Sequence, residues 1–133
     1  MVRAVSPVRF PEMRNEVIGA LRALADPAHQ EAVWIRREYP HPGYYDDFDH
    51  NIHILYDDSG VCEDPFGSIG SYLKSSREAE VVSQLAEALN ALLAAEGDDR
   101  SDSEYLRSPH WQAVVHAASA AYEVLTLHPY DEL

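Results

Sequence analysis

The chain is 133 residues long, the size of one domain, and carries 10 Lys and Arg against 23 Asp and Glu, a formal net charge of −13. That balance argues against a nucleic-acid binder, which needs a basic footprint to neutralise phosphates, and against docking on an anionic membrane. A hydrophobic content of 46% and a charged content of 25% are those of a globular chain that builds a core without disulfides, so one domain over residues 1–133 is expected and little disorder.

Residues 1–10 read as an irregular lead-in, with no apolar run of signal-peptide length. Pro11 suits the first position of a helix, where its missing N–H is harmless, and Met13, Val17, Ile18, Leu21 and Leu24 then form one apolar stripe ending near Asp26-Pro27. Asp26 is a cap candidate for one extra turn through Gln30. Ala32–Tyr39, rich in β-branched and aromatic residues and stopped by Pro40, reads as a strand. His41–His50 reads as a loop, Asn51–Tyr56 as a second strand, Asp57–Gly60 as a turn and Val61–Glu63 as a short third strand.

After a loop over 64–74, Ser75 and Glu78 form a capping box for a helix carrying Val82, Leu85, Leu89, Leu92 and Leu93, which Gly97 ends. Glu96–Glu104 holds five acids and one Arg, a solvated connection with a second capping box at Ser101 and Glu104. Ser108-Pro109 opens a last helix, with Trp111, Val114, Val115, Ala118, Tyr122 and Leu125 inward, that stops before His128-Pro129. The expected fold class is α+β: an N-terminal helix, a two- to three-stranded antiparallel meander, and two long C-terminal helices, an antiparallel pair, on one sheet face.

Cys62 is the sole cysteine and reads as a buried structural thiol, which excludes an internal disulfide and fits a reducing cytoplasm. No stretch approaches the roughly 18 apolar residues of a membrane span. The final Tyr130-Asp131-Glu132-Leu133 echoes an endoplasmic-reticulum retention signal, which without a leader is a chance match. Lys74 is the only lysine against nine arginines, a bias of GC-rich bacterial coding.

Phosphate loops, nucleophile elbows, His-Glu-x-x-His and dinucleotide fingerprints are absent, so no catalytic residue and no cofactor is assigned. His29, His110, His116 and His128 lack metal-ligand spacing and read as surface or cap residues. In the strand reading, alternation leaves one sheet face carrying Trp34, Arg36, Glu38, His53 and Leu55, either open to a partner or covered by a helix. Beside it, His41, Tyr44, Tyr45 and Phe48 interleave with Asp46, Asp47 and Asp49, a surface suited to a basic protein partner. From Asp46 to Asp64 there are seven acids and no Lys or Arg. Asp46, Asp49 and His53 are weak metal candidates, since only Asp49 and His53 share a strand face.

The residues Asp26-Pro27-x-His29-Gln30, Val33-Trp34-Ile35-Arg36-Arg37, Asp49-His50-x-Ile52-His53-x-Leu55-Tyr56-Asp57-Asp58 and Ser108-Pro109-x-Trp111 together resemble a family of small acidic proteins from high-GC actinobacteria. That family is uncharacterised, so the resemblance implies a shared fold and no activity. The leading expectation is a non-enzymatic binding module, inhibitor-like, for a basic partner. The alternatives are a metal-dependent enzyme around Asp49, His53 and the loop acids, or a homodimer subunit with a self-complementary face.

Overall fold

The computed structural model describes residues 8–127. The expectations for residues 1–7 and for 128–133, including the terminal tetrapeptide and His128, lie outside the described residues. Among the described residues six α-helices run in order: α1 (Pro11–Ala25), α2 (Pro27–His29), α3 (Phe48–Ile52), α4 (Ser76–Glu96), α5 (Asp102–Leu106) and α6 (Trp111–Leu125). Two π-helical segments, Gln30–Ile35 and His53–Asp58, continue α2 and α3, and a short 3₁₀ turn spans Phe66–Ser68.

The α+β expectation is overturned. Among the described residues there is no strand and no sheet, only one isolated bridge between Ile69 and Leu73. Of the two segments read as longer strands, Asn51–Tyr56 is wholly helical and Ala32–Tyr39 is helical to Ile35 and irregular beyond it, and Val61–Glu63 is a turn. The cause lies in the pattern of burial. Gln30, Val33 and Trp34 are buried, as are Phe48, Asn51, Ile54 and Leu55, which is spacing of three and four residues rather than two. Two of those inward positions are amides, so hydropathy alone shows only a short apolar run, which either element could produce. Asp caps supply the helix starts: the Asp26 carboxylate accepts the His29 N–H at 3.2 Å and the Asp47 carboxylate accepts the His50 N–H at 2.7 Å. The π turns are visible in N–H donations five residues back, Arg36 to the Glu31 carbonyl at 3.0 Å and Ser59 to the Ile54 carbonyl at 3.1 Å.

The core is helix on helix. Val17, Leu21 and Leu24 of α1, Val82, Leu85, Leu89 and Leu92 of α4, and Val114 and Ala118 of α6 are all fully buried. Helix α6 packs against both α1 and α4. Its direction follows from two ties. Arg14, near the start of α1, donates to the Leu125 carbonyl at the end of α6 at 3.1 Å. Trp111, at the start of α6, donates its indole N–H at 3.1 Å to Gln30, whose amide donates to the Ala23 and Leu24 carbonyls at the end of α1. Helices α1 and α6 are therefore antiparallel. Gln30 also satisfies carbonyls that a helix end leaves without partners.

Glu78 does not return to the Ser75 N–H to close a capping box. Ser75 still accepts the Glu78 N–H at 3.2 Å, but the Glu78 carboxylate turns to Arg14, at 2.8 and 2.9 Å, and to the Lys74 N–H at 2.7 Å. This buried bidentate pair joins the starts of α1 and α4. The Ser101–Glu104 box is complete. Cys62 is buried, and burial raises its thiol pKa to about 12.

Candidate functional site

A cleft of about 500 Å³ opens between the exposed side of α1 and the segment from Tyr44 to Ile54. Its α1 wall contributes Glu16, Gly19 and Arg22, its end contributes Asp26 and His29, and its far wall contributes Tyr44, Tyr45, Asp46, His50 and Asn51. The volume lies within the usual range for ligand pockets.

Asp46 builds the far wall. Its carboxylate is buried, and three N–H groups converge on it: the Trp34 indole at 2.7 Å, the His29 Nε2 at 2.8 Å and the Asn51 amide at 2.9 Å. An ionised carboxylate only accepts, so His29 carries a proton on Nε2 in this contact. Asn51 also donates to the Asp47 carbonyl at 2.8 Å, which ties the loop to α3. Behind this network Trp34, Phe48 and Trp111 pack edge to face, with centroids 5.6 to 6.3 Å apart, and Phe48 lies 4.5 Å from Tyr105.

The structure divides the residues expected to meet a partner. Trp34, Asp46 and Phe48 are buried framework, and the sheet face expected to carry Trp34, open or covered, does not form. Arg36 is exposed on the π-helical turn and pairs locally with Glu38 at 3.0 Å and Glu31 at 3.5 Å, not with a neighbouring strand. Tyr45 and His41 are exposed and Tyr44 is half-buried. These rings continue through Tyr39 and His50 as a belt: His41–Tyr44 5.7 Å, Tyr44–Tyr39 6.0 Å, Tyr39–Tyr45 6.3 Å and Tyr45–His50 6.4 Å. The Tyr45 hydroxyl donates to Asp47, and that bond raises its pKa to about 12.

Asp49 and His53 lie one helical turn apart on an exposed face, and His53 contacts Asp49 at 3.3 Å and Asp57 at 2.5 Å. The bond to Asp57, followed by the charge of Asp49, raises the His53 pKa. Asp46 belongs to the cleft and does not join that face. Among the described residues no group of three His, Cys, Asp or Glu side chains is arranged to hold a metal ion.

A second hollow of about 320 Å³ lies across α3, lined by Phe48, Ile52, Leu93 and Tyr105, by Asp49, Asp98, Asp99 and Asp102, and by Arg100. Burial raises the Asp102 pKa, the Phe48 N–H at 3.3 Å opposes the rise, and Asp47 and Asp46 add to it.

The sequence reading missed Glu16, Gly19, Arg22, Asp26, His29 and Asn51 as cleft residues. Spacing of three along α1 (Glu16, Gly19, Arg22) marked one polar side of a helix but gave no sign of what faced it. Chemically, the cleft offers the His29 imidazole oriented by the buried Asp46 carboxylate, two further acids and aromatic walls. No Ser, Thr or Cys is among the described residues lining it.

Among the described residues no helix is long and apolar enough to cross a membrane. A family model described as a domain of unknown function (DUF7945) matches residues 8–132. No curated protein and no solved structure matches the chain.

Proposed function

We propose that this chain, which belongs to the DUF7945 family, is a non-enzymatic binding protein that engages a basic protein partner through the aromatic belt and the acids around it. The observation that carries the reading is the belt itself: Tyr39 packed against both Tyr44 and Tyr45, with Tyr45 bonded to Asp47 and 53% exposed. Rings held by neighbouring rings lose little freedom on binding, so they suit contact energy. Carboxylates on the same surface favour encounter with a cationic protein. With the sheet face gone, the surface centres on His41, Tyr44, Tyr45 and Asp47, with Asp49 and His53 on a separate exposed face one helical turn long, while Trp34, Asp46 and Phe48 hold the belt in shape.

A second copy of this chain is a poor occupant, because each copy carries a net charge of −13 and would present acids to acids. An inhibitor-like role in the cytoplasm fits a chain whose one cysteine is a buried thiol.

The test is capture from a lysate of the encoding organism at low salt, followed by reconstitution with the purified partner. Charge reversal must avoid Asp46, which is buried, and Asp47, which caps α3. Asp49→Lys should slow association and Tyr45→Ala should speed dissociation. Recovery of no basic partner, or unchanged rates in both variants, overturns the reading.

A further inference from the structure

We infer that the cleft beside the aromatic belt receives an arginine side chain of the partner, its guanidinium lying against the Tyr44 and Tyr45 rings and facing the carboxylates of Glu16 and Asp26. This rests on the partner reading and adds the residue that would anchor it.

Four observations support it. Both tyrosines belong to the cleft lining as well as to the belt, so the cleft is continuous with the proposed contact surface. A guanidinium is planar and stacks on aromatic faces while its N–H groups reach carboxylates. The lining holds three carboxylates, Glu16, Asp26 and Asp46, against one permanent cation, Arg22. Glu16 makes no ion pair or hydrogen bond through its side chain among the described residues, and Asp26 uses one oxygen for its cap, so both have acceptor capacity left.

The last observation is Gly19. A glycine inside a helix is unfavourable, yet a Cβ placed there would meet nothing within 4 Å. The space that a larger side chain would take is part of the cleft.

Agmatine, a guanidinium and a primary ammonium on a four-carbon chain, is the probe, with butane-1,4-diamine as the cationic control without a guanidinium and glutamate as the anionic control, followed by amide shifts of the whole chain. The expected result is saturable agmatine binding with shifts at Gly19, Tyr44, Tyr45 and Asn51, and none with glutamate. Arg22→Gln should tighten agmatine binding about threefold by removing a like charge, and Glu16→Gln should weaken it by a similar factor. Gly19→Leu should fill the cleft and abolish binding while the circular dichroism spectrum stays helical. No saturable agmatine shifts, or weaker binding in Arg22→Gln, overturns the inference. Partner binding that survives Gly19→Leu but is lost in Tyr45→Ala overturns the arginine anchor and leaves the partner reading standing. Agmatine saturation with no basic partner recovered overturns the partner reading and leaves the cleft's cation preference standing.

Discussion

The indole N–H of Trp34 meets the carboxylate of Asp46, twelve residues later, at 2.7 Å inside the protein. This bond links the turn after α2 to the loop that forms the cleft wall, and His29 and Asn51 converge on the same carboxylate. Removing the acceptor leaves a buried indole N–H without a partner. Asp46→Ala should therefore cost about 3 kcal/mol, and Trp34→Phe about 2 kcal/mol, since bonds to charged groups contribute roughly 1.5–3 kcal/mol each. Urea unfolding should show lower midpoints for both at unchanged slope.

Arg14 and Glu78 form the other buried polar centre. Losing one partner strands a buried charge at a cost of about 3–5 kcal/mol, whereas replacing both with apolar groups is often close to neutral. Arg14→Met should be strongly destabilising. Adding Glu78→Leu should recover most of the loss, although the Tyr72 and Leu125 carbonyls and the Lys74 N–H lose partners as well. The double-mutant cycle in urea measures the coupling.

Arg37 holds a left-handed backbone, φ 55°, just past the π-helical turn, and the next N–H, of Glu38, bonds back to the Ala32 carbonyl at 2.9 Å. This is the position at which helices usually end on glycine. Arg37→Gly should raise stability by about 1 kcal/mol, because the strain of a Cβ in that region is relieved. A higher Tm in the variant checks it.

His53 gives the pH dependence. Its folded pKa is raised above the ordinary 6.5 by Asp57 and then Asp49. The stabilisation is fully present below the unfolded pKa and is lost as pH rises through the folded one. Wild type should exceed His53→Gln in stability below the unfolded pKa of about 6.5, and the difference should fade as pH rises through the higher folded pKa. Proton NMR of the His53 ring should titrate above the value of a free imidazole.

The three long helices were legible in the sequence because each carries an apolar stripe at a 3.6-residue period, Val17–Leu21–Leu24 in α1 for example. The middle of the chain was not. Its inward positions are filled by Gln30, Asp46 and Asn51, polar groups that are buried because partners satisfy them, and no partner is visible in a linear pattern. The acids and aromatics of residues 41–50 were legible as a surface, but the strand reading left Trp34 either open or covered, whereas helical turns bury it. His29 read as a surface residue because its partner, Asp46, lies seventeen positions away.

The affinity of the purified basic partner for this chain, measured with wild type and with Tyr45→Ala at about 50 and about 500 mM salt, tests the central claim most directly. Binding by the wild type should weaken at least tenfold at the higher salt, and Tyr45→Ala should weaken it about tenfold at both. An affinity indifferent to salt and to the loss of the Tyr45 ring would contradict the account.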